Sequence, residues 1–551
     1  MDAATLGIEL EQIADPALRR AFQILLALVQ TQADEIRTLR EKNRVLREEV
    51  ARLKKLPPRP PTPPPPAPRS SEKERAEPTK LKEPKPAFVP DTTKRCLCPR
   101  ADLPADVVAH GWESFDVQDL LVQRDNVRFE RERLYSPSLQ KTFLAPLPEG
   151  FGRGHLGPGL RAFVLTLHAA ANVTQPKLQE LLASLGLHVS DGELHHLLVE
   201  AIAPLHAEVS EILKAGLASS PWQQIDDTGT SVAGKQEHCF TLGNPLYTVF
   251  DTRPGKDRLT VLQVLLGRTE LAFRADAYAL QVAQAFGASK AAVRVVTALV
   301  RPEPFTAEAF EQALAPHRAD LSTQAYAQVR EACALAEYEA QTAMPVVQTL
   351  LADGAGNFDH LTYERALCWI HEGRLYTKLI PGKDTAAAQE VEVFVTYFWG
   401  YYRELRAYRE APTAARAQEL SDLFDTLFAA APQWAPLAER IARTRDHKDS
   451  LLQVLTHPEI PLHNNDMELA ARQRVRKRDA SLAAQSRAGV RAWDTLQTLV
   501  ATAKKLGVSV YAFFADRARG LGKVQNLAAT IRERAAAAGL GASWPKPAPS
   551  G

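Results

Sequence analysis

Heptads open the chain. With Ile36 at position a, the a-residues are Phe22, Val29, Ile36, Asn43 and Val50, and the d-residues are Leu25, Gln32, Leu39, Leu46 and Leu53. An apolar repeat sustained over that length predicts a coiled coil within residues 1–56. One Asn at an a position favours a parallel dimer in a single register. Two g-to-e′ pairs attract (Glu35–Arg40, Glu49–Lys54) and one repels (Lys42–Arg47). The competing reading is a lone amphipathic helix docked on the body of the protein. The seam stops at PPRPPTPPPPAPRSSEKERAEPTKLKEPKP. That stretch has too few apolar side chains to order itself, so residues 57–92 are expected as a Pro-rich, disordered spacer.

Beyond the spacer the periodicity changes three times. Residues 93–150 show no clear pattern, and Cys96-Leu97-Cys98 looks like half of a metal knuckle. No second Cys pair follows. Two thiolates do not fill a tetrahedral shell, and His110 sits at no standard spacing, so the ligand count argues against zinc. Residues 151–218 read as helices. Within them LQELLASLGLHVSDGELHHLL fits a helix-turn-helix: Leu178, Leu181, Leu182 and Leu185 on one face, Gly186 at the turn, Ser190 or Asp191 as cap, then Leu194, Leu197 and Leu198. Its second helix is not basic, since Glu193, His195 and His196 face outward, which makes ordinary helical packing an equal rival.

From residue 220 the texture turns to strands. WQQIDDTGTSVAGKQEHCFTLGNPLYTVFDTRPGK predicts two or three of them, joined by Gly-rich turns. Residues 257–345 are mostly helical, VVQTLLADGAGNF is a buried strand and a turn, and 384–455 is again helical. A loop (HPEIPLHNN), a helix over 465–478 and helices over 489–535 follow. The expected architecture is therefore an α/β catalytic domain over 219–515, with helical insertions at about 270–345 and 384–455. A C-terminal helix and tail complete it over 516–551.

Composition narrows the classes. Hydrophobic residues make up 45%, enough for a sizeable core, and the formal net charge of +2 excludes a uniformly basic nucleic-acid coat. A local basic face stays open. Five sparse cysteines in a long chain do not form a disulfide framework and fit a reducing, cytoplasmic setting. The N-terminus has no signal pattern, and no uncharged apolar run is long enough to span a membrane.

Three acids stand out by context. Asp226, followed by Asp227, lies at the expected end of one strand, and Asp353 at the end of another; Gly229 and Gly354 follow as turn residues. Glu468 lies early on a helix expected to be capped by Asn464 or Asn465. Phosphoryl transfer on DNA uses two divalent ions about 3.5–4 Å apart, and hard ions such as magnesium take oxygen ligands. Three carboxylates can supply them. Any one acid alone reads better as a turn or cap residue. Arg472, Arg474, Arg476, Lys477 and Arg478 follow Glu468 directly, and positive charge beside a metal-binding acid suits phosphate contact. The rival is a solvated basic helix face. Cys368 and His371 form a lone C-x-x-H, read as structural or substrate-positioning rather than half a zinc site.

In this order the motifs resemble the insertion sequence 66 family of transposases, acid-triad (DDE) recombinases with a ribonuclease H-like fold. Asp226-Asp227-Thr228-Gly229 is similar to the family's first motif, Leu351-Ala352-Asp353-Gly354 to its second, Cys368 to His371 to the Cys-Trp-x-His element after it, and Asn464-Asn465-Asp466-Met467-Glu468 through Arg472 to its third. The chain departs from the family in its reduced cysteine pairs, in a longer gap between the first two acids and in His463 before the Asn pair. Asp251 is the nearest rival to Asp353. The resemblance implies catalysis and metal binding by Asp226, Asp353 and Glu468, support from Asp227, Cys368 and His371, and two magnesium (or manganese) ions. It further implies DNA partners at the element's terminal repeats and at a target, a homodimer or higher oligomer, no membrane, and room for helper proteins of the same element. The expected function is metal-dependent strand cleavage and strand transfer. Its rivals are a decayed transposase that only binds DNA, a two-metal nuclease without strand transfer, and a coiled-coil scaffold.

Overall fold

The computed structural model describes residues 89–98, 107–108, 111–151, 154–382 and 384–544. The expected coiled coil, nearly all of the spacer and His110 lie outside these residues. Two compact units divide after Leu120. In the first, the described residues form no helix or strand, Cys96 and Cys98 are exposed, and the Arg95 guanidinium lies 5.0 Å from the Trp112 ring centre. The second unit carries all the regular structure described below.

That unit is mixed α/β. A hairpin, β1 (Arg133–Ser136) and β2 (Lys141–Leu144), precedes helices α1 (Pro158–Ala170), α2 (Gln175–Ser184), α3 (Asp191–His195) and α4 (Ala203–Ala218), with a π-helical turn at His196–Glu200. The helix-turn-helix stretch forms as helices. Gly186 takes φ 73° at the turn, and Ser190 is the cap, closed by a capping box with Glu193. Leu178, Leu182, Leu194, Leu197 and Leu198 are buried, whereas Leu181, placed on the same face by spacing, is exposed.

Three long strands follow: β3 (Trp222–Val232), β4 (Lys235–Asn244) and β5 (Tyr247–Arg253). They are antiparallel, and the β3–β4 turn puts Ala233 and Gly234 at φ 48° and 77°, the left-handed pair a two-residue hairpin requires. Helices α5 (Arg258–Leu266), α6 (Ala277–Ala285), α7 (Lys290–Ala298), α8 (Ala307–Leu314) and α9 (Thr323–Ala340) come next, all five capped, by the Asp257, Asp276, Ser289, Thr306 and Ser322 side chains. The chain then returns to the sheet as β6 (Thr349–Ala352), parallel to β3, and β7 (Glu364–Leu367), parallel to β6. The sheet order is β5-β4-β3-β6-β7.

After β7 come α10 (Trp369–Thr377), α11 (Thr385–Glu410), α12 (Ala414–Phe428), α13 (Ala435–Asp446) and the short α14 (Lys448–Leu451) and α15 (Gln453–Thr456). They share their own apolar cluster, with Trp369 against Phe398, Tyr401 and Phe424. The chain closes with α16 (Asn465–Ser481), α17 (Arg487–Lys505), α18 (Val510–Arg519) and α19 (Leu527–Ala538). One continuous core joins α1–α4, the sheet, α5–α9 and α17–α19, so the helices before the sheet and the C-terminal helices pack into the same interior. Among the described residues, no helix is long and apolar enough to cross a membrane.

Trp369 is wholly buried and its indole N–H donates to the Leu451 carbonyl at 2.8 Å, across the second cluster. Trp369→Ala is expected to cost about 3–5 kcal/mol, read as a lowered denaturation midpoint; a loss under about 1 kcal/mol would remove Trp369 as the anchor of the helical insertion.

Candidate functional site

The site is set by strand register. The β3–β6 pairing runs from Trp222↔Thr349 to Gln224↔Leu351 and stops. Two residues further along each strand stand Asp226 and Asp353, on the same face because side chains repeat with period two. Asp226 is not at a strand end, as its QIDDTG context suggested. It lies in the middle of β3, paired to Thr241 of β4. Gly229 does not turn the chain but continues the strand, and the turn falls at Ala233–Gly234. Gly354 has no positive φ; the bend after β6 is made by Asp353 itself, whose Oδ1 accepts the Ala355 N–H at 3.0 Å.

The third acid is brought in by a strap. Gln224 Nε2 donates to the His463 carbonyl at 3.1 Å, and Asn464 Nδ2 donates to the Ile225 carbonyl at 2.6 Å. On the other side the Trp369 N–H donates to the Leu462 carbonyl at 2.9 Å, and the Asn464 N–H to Cys368 Sγ at 3.3 Å. Residues 462–464 thus bridge β3 and the start of α10. Asn464 occupies the cap position of α16 but makes no side-chain cap bond: its Nδ2 donates to β3, and its buried Oδ1 has no hydrogen-bond partner. Thr241 Oγ1 donates to the Met467 carbonyl at 3.2 Å, which seats the first turn of α16 on β4. Glu468, one residue on, is mostly buried there.

Burial pushes the Asp226 carboxyl up to about 7, the Asp227 N–H bonded to it at 3.0 Å opposes, and the charges of Asp353, Asp227 and Glu468 add to the rise. Glu468 meets two guanidinium groups, Arg374 Nη1 at 3.2 Å and Arg472 Nη2 at 3.9 Å from Oε2, and His371 Nδ1 lies 3.6 Å from Oε1. Glu468 Oε1 and His371 Nδ1 are buried atoms with no hydrogen-bond partner. Asp227 points to the opposite face of β3, with His238 Nδ1 at 3.3 Å from its carboxylate. Asp251, the rival acid, fails on register. Phe250 is the residue of β5 aligned with Thr241 and Asp226, so Asp251 projects from the other face, where Arg253 binds it at 2.7 Å.

A divalent cation would relieve the like charges that add to the rise of Asp226, since hard ions take oxygen ligands, and the unpartnered Glu468 Oε1 offers one such oxygen.

The basic run divides by helical rotation. Arg472 and Arg476 face outward and Arg478 is half-buried, its Nη1 on the Gly229 carbonyl at 2.8 Å. Arg474 and Lys477, expected on DNA, instead point inward. Arg474 is wholly buried, ion-paired with Asp494 and with its Nε on Cys239 Sγ at 3.2 Å. Lys477 Nζ sits 3.1 Å from His168 Nε2. Burial, with Arg474 nearby, lowers Lys477 to about 8; burial, with Lys477 nearby, lowers His168 to about 4. Their partners lie far off in sequence, which no local pattern signals. Arg374 was missed as well, although it stands one turn after His371 on α10 and a helical reading of the C-x-x-H stretch would have placed it beside that residue.

The Asp226 shift gives a pH test. A carboxyl held above its usual value favours folding while neutral, and that contribution is lost as pH rises from the unfolded value through about 7. Without divalent metal, Asp226→Asn is expected to raise stability at pH 8 by on the order of a few kcal/mol and to change it little near pH 4. Equal effects at both pH values, read from denaturation midpoints, would contradict the burial of that charge.

A profile described as Transposase IS66 family matches residues 318–492. That span holds Asp353, Cys368, His371, Glu468 and the basic run, and Asp226 lies before it. Two proteins of Sinorhizobium fredii (strain NBRC 101917 / NGR234) are similar. Uncharacterized protein y4jO is 31% identical over 307 residues, 56% of this chain and 94% of that protein. Uncharacterized protein y4qI is 30% identical over 156 residues, 27% of this chain and 29% of that protein. With nearly the whole of one relative matched and the profile spanning the second and third acids, the chain belongs to the IS66 family of transposases.

Proposed function

We propose that this chain cuts and joins DNA at the ends of a mobile element, with Asp226, Asp353 and Glu468 holding two magnesium or manganese ions. The observation that carries the reading is the convergence of these acids from β3, the end of β6 and α16, with Asp226 pushed up to about 7 by burial and by its acidic neighbours. The sheet supports a ribonuclease H-like catalytic fold: three antiparallel strands, then two parallel ones, in the order β5-β4-β3-β6-β7.

When bound, the ions activate an attacking oxygen and stabilise a leaving one. The chain's own part is positional. Asp226 and Asp353 present carboxylates side by side where the two strands part, and the strap at 462–464 ties the start of α16, which carries Glu468, to β3. Arg374 and Arg472 pair with Glu468 and leave donors for phosphate oxygens. Exposed Arg472 and Arg476 line the approach to the site along α16. A dimer or larger assembly, formed through the N-terminal heptads, brings two ends together, with helper proteins of the same element as further partners.

The test is a cleavage and strand-transfer assay on DNA carrying the ends that flank the gene, with magnesium, with manganese and with EDTA. Metal-dependent nicking and joining are expected, reduced at least about a hundredfold in Glu468→Gln, Asp353→Asn and Asp226→Asn. Cutting without joining would turn the reading into a nuclease, and end binding without cutting into a DNA-binding protein alone. Separately, Arg472→Ala is expected to leave stability unchanged and to lower the slope of log affinity against log salt by about one. Arg474→Ala is expected instead to destabilise the fold by about 3–5 kcal/mol, through the stranded Asp494. A salt slope that moves only with Arg474 would reverse the assignment of the two faces.

A further inference from the structure

A second set of ligands shares Glu468 and is not made for magnesium. Cys368, His371 and Glu468 each offer one donor atom, and these atoms lie within 4.8 Å of one another. Cys368 sits at the start of α10, His371 is one turn on, and Glu468 comes from α16. The C-x-x-H spacing had no partner pair nearby in the sequence; the fold supplies the third donor from a distant helix.

Each donor is poised. Glu468 directs Oε2 to Arg374 and Arg472, which leaves Oε1 beside His371 Nδ1 at 3.6 Å, and both atoms lack a hydrogen bond. Cys368 Sγ receives the Asn464 N–H at 3.3 Å. Burial pushes the free thiol up, against the backbone N–H groups of His371, Asn464 and Ile370, so a metal ion has to displace its proton. One sulfur, one imidazole nitrogen and one carboxylate oxygen match a three-ligand zinc-type centre with an open fourth position. Thiolate selects such ions over magnesium.

We propose that Cys368, His371 and Glu468 bind one thiophilic transition-metal ion of the zinc class. Binding replaces the Cys368 proton, which leaves to solvent, and makes sulfur–, nitrogen– and oxygen–metal bonds without any redox change. The ion takes Glu468 Oε1, so occupancy of this centre withdraws that carboxylate from Asp226 and Asp353. The proposal rests on a thiolate ligand that the magnesium reading does not use, so failure of either leaves the other standing.

Cobalt(II) is the probe, because a thiolate ligand gives a charge-transfer band in the near ultraviolet and a four-coordinate site gives visible ligand-field bands. The protein is the full chain carrying Cys96→Ser and Cys98→Ser, which removes the exposed thiols. One equivalent of cobalt with both sets of bands is expected. Cys368→Ser is expected to abolish the ultraviolet band. The half-exposed His371→Asn, whose metal-free unfolding midpoint serves as the folding control, is expected to weaken uptake at least about tenfold. No band in the Cys96→Ser, Cys98→Ser protein, a band that survives Cys368→Ser, or uptake unmoved by a folded His371→Asn would each overturn the proposal.

Discussion

Three residues of parallel pairing, Trp222–Gln224 against Thr349–Leu351, determine where the acids can stand. The long helical segment between β5 and β6 packs into the common core and returns its chain to the edge of β3 in that register. A slip of one residue would turn Asp353 to the face that carries Asp227 and leave Asp226 beside an apolar side chain. The pairing ends just before the two acids because β3 continues with β4 while β6 stops at Ala352. That divergence is what gives both carboxylates a common opening.

The same burial that brings the acids together works against the metal-free fold. Desolvation and like charge both oppose the ionised form of Asp226. Around Glu468 the opposite arrangement holds, with Arg374, Arg472 and His371 facing one carboxylate. The site is therefore electrostatically uneven: like charges add up at Asp226, while two guanidinium groups from α10 and α16 meet Glu468.

Much of this arrangement was legible in the sequence, and the losses have a common cause. The positions of Asp353 after β6 and of Glu468 early on α16 were readable because each follows a strong local pattern, three apolar residues in β6 and an Asn pair at the start of α16. The three-strand stretch and both helical insertions follow from periodicity in the same way. Asp226 was placed at a strand end because Gly229 looked like a turn, yet antiparallel pairing to β4 carries the strand through it. Arg474 and Lys477 looked solvent-facing because a run of basic residues contains no clue to Asp494 or to His168, their partners elsewhere in the chain. Local pattern reports what a segment prefers, and these two side chains are governed by what α1 and α17 bring to them.

Those two buried cations explain why α16 presents Glu468 inward at all. Asp494 accepts from the Thr252 N–H and hydroxyl, each at 2.9 Å, and pairs with Arg474, so one carboxylate locks α17 to β5 and α16 to both. Lys477, almost one turn further on, is held against His168 of α1. Two inward anchors on one helix fix its rotation as well as its position. With Arg474 and Lys477 turned to the core, the period of 3.6 residues leaves Arg472 and Arg476 outward. At the other end Asn464 and the Met467 carbonyl tie the first turn to β3 and β4. An apolar pair of equal volume could match the stability of Arg474 and Asp494. It would not reproduce the directional bonds that join Asp494 to β5 and α16 at once, and those bonds fix the rotation of the helix that carries Glu468.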